Sequence, residues 1–229
     1  MEDQILYTVF RRKNQKHVRI RINGNGTIRV SAPEHMSRGQ IARAVETRAD
    51  WIRKQRAKTR KQFDDHDPTK TMLFLGEKYD VEVREGENAR NRVTLSEKRK
   101  KLLVSTVLPG KQAAEAVIAG WLRRRARQVL LPRVGYLSVR TGIPFKNLYI
   151  RNQKSRWGSS SGMGNLSLNF RIVMAPPWVQ RYLIIHELCH QRNFNHSRAY
   201  WEDVETYCPD YREAEAWLKE HAILLSIFR

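Results

Sequence analysis

One helix in this chain has to be buried and polar at once. The stretch "YLIIHELCHQRNFNHS", Tyr182 to Ser197, places three histidines and a glutamate within eleven positions, directly behind an apolar run that needs burial. Pro176 and Pro177 open the helix, and Val179, Leu183 and Leu188 suit its buried face. At about 100° per residue, His186 and His190 stand on one side of it, one turn apart. A buried polar group left without a partner costs about 1–3 kcal/mol. Any fold of this chain must therefore give those imidazoles something to bind.

A shared metal ion suits this spacing. Single buried histidines satisfied by hydrogen bonds are common, but a pair with a neighbouring carboxylate and a third histidine is hard to explain as packing. Glu187 follows the first histidine and could take a proton from water at the metal without being a ligand itself. A hydrolytic zinc site needs a third protein ligand and one open position. His196 completes H-E-x-x-H-x5-H, the spacing of the metzincin peptidases, in which the chain turns back sharply after the helix. Asn193 occupies their glycine position and is expected to adopt the left-handed backbone that the turn would need. No methionine follows Met174, so their downstream Met-turn is missing. Glu202 or Glu205 is the alternative third ligand; His196 is preferred because it needs only a local turn. His17, His35 and His66 are expected to face solvent, and His221 to be a surface or packing residue. Cys189 points about 100° from His190 and belongs to the core.

Composition narrows the class. With 229 residues, 41% of them hydrophobic, the chain can bury a core without staples. Two cysteines, Cys189 and Cys208, are too few for a disulfide framework and suit a reducing compartment. No leader-like segment or membrane-spanning run is seen, so a cytoplasmic location and no membrane partner are expected. The 43 Lys and Arg against 23 Asp and Glu give a net charge of +20, which attracts phosphates and acidic partners. A merely solvated, adhesive surface is the plain alternative. Oligomeric state is not readable.

The expected fold class is α+β: a strand-rich N-terminal region with a basic helix over 1–108, then a catalytic region over 109–229 with an active-site helix and a helical C-terminus. "ILYTVF", "HVRIRI" and "TIRVSA" read as strands, the last two alternating apolar and basic residues, and "NGNG" (Asn23–Gly26) as a hairpin turn. Ser37 caps a helix expected from Arg38 to Gln62, with Ile41, Val45, Ala49 and Ile52 on one face. Further strands are read at "TMLFLG", "YDVEVRE", "RVTLS" and "KLLVSTV". A long helix from Lys111 to Thr141 turns Ala114, Val117, Ile118, Trp121, Leu122 and Val129 inward, is kinked or broken at Pro132 and stops at Gly142. "NLYIRN" and "NLSLNFRIV" are strands on either side of the glycine-rich "SRWGSSSGMGN". "NLSLN" is either an edge on which an extended peptide pairs, or part of a plain hairpin with Trp157 packed under the helix. Arg156 and Tyr200 are candidates for meeting charge on a developing oxyanion.

The segment from Arg156 to Leu218 carries R-W-G-S, L-N-x-x-I, A-P-P, H-E-L-x-H, N-H-S and P-D-Y. In these elements the chain resembles the YgjP-like metallopeptidase-type family, a zincin group similar in motif to the SprT and WLM groups, and the likeness extends more loosely to the N-terminus. The resemblance implies zinc on His186, His190 and His196 with Glu187 as general base. Ser160 stands where the family often has cysteine, so any role of that thiol is absent. The expected activity is zinc-dependent hydrolysis of a polypeptide. Two alternatives remain: hydrolysis of a nucleotide phosphoanhydride, as in a nucleoside triphosphate pyrophosphatase, and a basic nucleic-acid-associated protein with a SprT-like protease role, to which "RKQRAKTRKQ" and "LRRRARQ" would contribute.

Overall fold

Alternating apolar and basic residues build the N-terminal part of the protein. The structure, a computed structural model, describes residues 5–23, 26–86 and 90–228, without the side chains of 62–64. Strands β1 (Tyr7–Arg12), β2 (Arg19–Ile22) and β3 (Ile28–Pro33) form a sheet of order β1-β3-β2, with β1 parallel and β2 antiparallel to β3. Because side chains alternate across a strand, Ile20, Ile22, Ile28, Val30 and Ala32 share one face. Helices α1 (Arg38–Glu46) and α2 (Ala49–Asp65) cover that face through Ile41, Val45 and Ile52. Of the expected turn, Gly24 and Asn25 lie outside the described residues. Asn23 N–H donates to Thr27 O at 2.8 Å, and Gly26 N–H to Asn23 O at 2.8 Å.

Ser37 caps α1 as expected: its hydroxyl accepts from Gln40 N–H, and the Gln40 side chain accepts from Ser37 N–H. The single helix expected over 38–62 is instead two. Thr47 ends the first, its hydroxyl donating to Arg43 O at 2.9 Å, the side-chain competition that weakens helices at such residues.

The chain divides into compact units at Met1–His66 and Asp67–Arg229, upstream of the 108/109 boundary expected from sequence. The second strand group, β4 (Thr71–Phe74), β5 (Glu77–Glu85), β6 (Arg92–Ser96) and β7 (Lys101–Thr106), forms a sheet of order β4-β5-β7-β6. Its Met72, Phe74, Tyr79, Leu102 and Val104 share a core with Ile118, Trp121 and Leu122 of α3 (Lys111–Thr141), so it belongs with the helices that follow it. Helix α3, about 46 Å long, runs unbroken through Pro132. Pro132 and Gln128, whose carbonyl loses its helical donor there, are both on the exposed side, where water can replace it. Gly142 stops the helix in the left-handed region at φ 63°, and Ile143 N–H returns to Ser138 O at 3.2 Å.

Strands β8 (Asn147–Arg151), β9 (Gly158–Ser160) and β10 (Asn165–Asn169) form a third sheet of order β8-β10-β9. The strand expected to continue to Val173 stops at buried Asn169. Its side-chain oxygen accepts from Arg171 N–H at 3.2 Å, and its amide donates to Gln153 O at 2.7 Å and Arg156 O at 3.1 Å. The chain switches there into a wholly buried 3-10 turn, Phe170–Met174. Helices α4 (Pro177–Cys189), α5 (Arg198–Tyr207) and α6 (Tyr211–Glu220) follow, then a 3-10 turn over Ala222–Ser226. In all three sheets a strand precedes a hairpin whose second strand lies parallel beside it: β1/β3, β5/β7 and β8/β10. The intervening hairpin strand makes the crossover a parallel pair requires. No helix among the described residues is long and apolar enough to cross a membrane.

The β4–β5 turn docks on the entry to α4. Leu75 N–H donates to Val173 O at 2.9 Å and Gly76 N–H to Met174 O at 3.0 Å. Gly76 has φ +84°, and a Cβ there would lie 2.7–2.9 Å from Pro176 atoms. Gly76→Ala is therefore expected to lower stability by about 1–3 kcal/mol in urea unfolding. Gly135→Ala, within α3 and facing open space, is expected to raise it by about 0.5–1 kcal/mol. Equal small effects would show that the Gly76 turn carries no strain.

Candidate metal centre

Helix α4 brings His186 and His190 together, and the chain beyond it returns His196 to them. Ring centroids lie 4.9 Å apart for His186 and His190, 5.3 Å for His186 and His196, and 4.7 Å for His190 and His196. One nitrogen from each of the three falls within 4.8 Å of the others, so the group could hold one metal ion. The shifts of His186 and His190 suit ligation, which needs neutral imidazoles. Burial, reinforced by the other two histidines, pushes His186 down to about 3. Burial also lowers His190, against the opposing bond to Asn193. His190 Nδ1 is 3.0 Å from Asn193 O. A carbonyl only accepts, so Nδ1 carries the proton and Nε2 keeps its lone pair for a metal.

The return of the chain does not use a left-handed Asn193, as the sequence had suggested: φ is positive for only Leu75, Lys100 and Phe228 among the described non-glycine residues. Consecutive backbone turns do the work instead, Arg192 N–H and Asn193 N–H both donating to Cys189 O at 3.0 Å. Asn193 Nδ2 then donates to Asp203 Oδ2 at 2.9 Å, fastening the turn to α5. Around His196, Asn195 Oδ1 accepts from Ser197 N–H at 3.2 Å, and Ser197 Oγ caps α5 by accepting from Tyr200 N–H at 3.4 Å. These contacts give the N-H-S element its structural purpose.

Aromatic rings enclose the cluster. Tyr200 stacks on His190 at 4.5 Å and Trp201 on His196 at 5.7 Å, with Tyr211 stacked behind Trp201 at 5.2 Å. Tyr182 OH lies 3.3 Å from His186 Nδ1. Sequence reading missed Tyr182 and Trp201, although Tyr182 is four residues before His186 on one helix face. Tyr200 was a candidate oxyanion donor, but it is fully buried and its hydroxyl donates to His186 O at 3.1 Å.

Glu187 is 4% exposed. Burial pushes its carboxyl up to about 8, with the positive charge of Arg156 pulling the other way; a dication on the neighbouring imidazoles would also oppose the shift. Room for the carboxylate comes from Gly158 on β9, where a Cβ would run into Glu187 Oε1 and stand 2.8 Å from its Cδ. Gln191 Nε2 donates to Ser160 Oγ on the same strand. The glycine of R-W-G-S is thus required by contact, a signal present in the sequence but unreadable without the helix beside it. β9, not the central β10 of "NLSLN", is the sheet edge next to α4.

Neither alternative third ligand, Glu202 nor Glu205, joins the converging group. Glu202 and Glu205 are exposed, and Glu202 pairs with Arg198 at 2.7 Å. His17 and His35 are exposed, whereas His66 is half-buried. His221 packs on Trp217, ring on ring at 3.8 Å. Cys189 and Cys208 are both free and buried, burial lifts each thiol to about 12, and neither belongs to the converging group.

A search of curated proteins found no match. Among solved structures, the crystal structure of the metallopeptidase zymogen of Pyrococcus abyssi abylysin is 22% identical, covering 43% of this chain and 90% of that one, at a TM-score of 0.32, too low for its fold to be read across. The model of the family described as "YgjP-like, metallopeptidase domain" matches residues 16–221, which takes in all three histidines, Glu187 and Gly158. By that match, over nearly its whole length, the chain belongs to the YgjP-like metallopeptidase-domain family.

Proposed function

We propose that this protein is a zinc-dependent peptidase in which His186, His190 and His196 hold the metal and Glu187 is the general base. The observation that carries this reading is one buried carboxylate beside three imidazoles whose ligand nitrogens lie within 4.8 Å of one another. An all-imidazole donor set suits zinc, and three protein ligands leave a position open for chemistry. When bound, the ion supplies Lewis-acid chemistry, polarising a carbonyl oxygen and acidifying water. Glu187 takes the proton from the attacking water and returns it to the leaving amine. Its buried setting keeps bulk water from competing for that proton. Arg156, exposed and near enough to act on the charge of Glu187, is left as the candidate for meeting negative charge on the carbonyl oxygen. The edge position of β9 beside α4 supports an extended peptide pairing along Gly158–Ser160.

Metal analysis together with a panel of unfolded polypeptides and nucleoside triphosphates tests the reading. Stoichiometric zinc and peptide cleavage are expected; phosphate or pyrophosphate release without cleavage would move the site to the phosphoanhydride class. Glu187→Gln is expected to keep one equivalent of metal and lose about 10²–10⁴ in turnover, so a variant that still turns over removes Glu187 from the chemistry. Gly158→Ala, which displaces the same carboxylate, is expected to keep metal and cut turnover at least tenfold. Tyr200→Phe keeps the ring stack, and a fall in turnover of less than tenfold is expected; a loss as large as that of Glu187→Gln would return its hydroxyl to the candidates for oxyanion contact.

A further inference from the structure

The outer face of the N-terminal sheet carries positive charge that no carboxylate pairs with among the described residues. Residues Met1–His66 hold 16 Lys and Arg against 7 Asp and Glu. The strand register sorts part of that excess onto one surface. Opposite the apolar face that α1 and α2 cover, Thr8, Arg29 and Arg21 form one cross-strand row, and Phe10, Ser31 and Arg19 form the next. Arg12 follows at the end of β1, and Arg12, Arg19, Arg21 and Phe10 are exposed. Like charges directly opposite one another destabilise a sheet, and Arg21 faces Arg29. Among the described residues, none of Arg12, Arg19, Arg21 and Arg29 pairs with a carboxylate.

Two further observations show what this face fits. The Arg29 guanidinium lies 3.6 Å from the centroid of the Phe10 ring, and Phe10 remains 37% exposed. The pair is a planar stacking platform set among cations. Beyond the strand ends, the β1–β2 loop is held in place by Gln15, whose side chain donates to His17 O and Ser31 O, each at 2.6 Å. It lines an open cleft with Arg12, Lys13, Lys16, His17 and Arg19. Guanidinium groups on a rigid sheet suit phosphate oxygens, and an aromatic ring among them suits a base with its face free. Duplex bases are stacked on each other and offer no such face; single strands do. An acidic protein would use the charges but not the ring.

We propose that this face binds single-stranded nucleic acid, its phosphates on Arg12, Arg19, Arg21 and the β1–β2 loop and a base stacked on Phe10. Fluorescence anisotropy of the whole protein with labelled oligo(U), oligo(dT) and a duplex of equal length, each about 20 nucleotides, across a salt series tests it. Tighter binding of either single strand than of the duplex is expected, and the two single-strand arms separate RNA from DNA. Arg19→Ala with Arg21→Ala should weaken binding at least tenfold and flatten the salt slope by about 0.7 for each phosphate contact removed. Phe10→Ala should weaken it about 5- to 150-fold with little change in slope. Lys54→Ala with Lys58→Ala, which removes the same charge from the exposed side of α2, should cost less than threefold. Equal losses from the sheet and helix pairs, a silent Phe10→Ala, or a preference for duplex would overturn the proposal. So would polyglutamate competing with oligo(U) as well, charge for charge, as unlabelled oligo(U) does, a measurement that needs no variant.

Discussion

Removing the polar side of α4 from water is the constraint around which the unit over 67–229 is arranged. The helix buries Leu183, Ile184, Ile185 and Leu188, and with them Glu187 and Gln180. Each buried polar group needs a partner or stays in its neutral form. Gln180 donates to Ala175 O at 2.7 Å and receives Arg133 from α3. His186 and His190 are held neutral by burial. Glu187 is given space by a glycine and the field of one arginine. The same desolvation that makes these groups costly to bury makes their lone pairs available, and a metal site of three imidazoles needs just that.

Support for the site comes from sequentially distant groups acting in series. Asp210, just before α6, takes Arg181 of α4 with both carboxylate oxygens, at 2.6 and 2.9 Å, and α6 opens with Tyr211, the ring behind Trp201 and His196. The P-D-Y element therefore fixes α6 against α4 and backs the third histidine in one step. His196 is exposed, and it hangs on a turn instead of a helix. Ring stacking and the bond between Asn193 and Asp203 supply the rigidity that regular backbone structure gives the other two histidines.

What the sequence disclosed about this protein follows from locality. The pairing of His186 with His190 depends only on helical pitch, the Ser37 cap only on three residues, and the stop at Gly142 only on the conformational freedom of glycine, so all three were legible. The third histidine was legible by spacing, but the turn that delivers it was assigned to the wrong device. Left-handed backbone at Asn193 is one way to reverse the chain, and a side-chain bond to Asp203, ten residues on, is another that no local pattern displays. The end of β10 at Asn169 was hidden for a similar reason: "NFRIV" has strand-like apolar content, and only the contacts of Asn169 with Gln153 and Arg156 convert it into a turn. The membership of β4–β7 was not local information: these strands look like a continuation of the earlier ones until their core side chains are seen against α3.

Arg171 shows how far such indirect support reaches. It is 2% exposed, and no carboxylate among the described residues neutralises it. Its guanidinium instead donates to Ile227 O, Phe228 O at 2.6 Å and Asn152 Oδ1 at 2.7 Å, while stacking on Phe170 at 4.3 Å. Burial and the nearby charge of Arg123 push it down to about 10, which still leaves it a cation near neutral pH. A cation satisfied only by carbonyl and amide oxygens holds whatever carries those oxygens, and Arg171 does so at both ends of one loop. It grips Asn152 directly, and it shares with its own backbone N–H the side-chain oxygen of Asn169. The amide of Asn169 in turn holds Gln153 O and Arg156 O. The segment so fixed delivers Arg156 to the field of Glu187 and Gly158 to contact with its carboxylate. The L-N-x-x-I element thus acts on the surroundings of Glu187 without touching it: the C-terminal carbonyls hold a guanidinium, the guanidinium and an asparagine hold a loop, and the loop sets the space and charge around the Glu187 carboxyl.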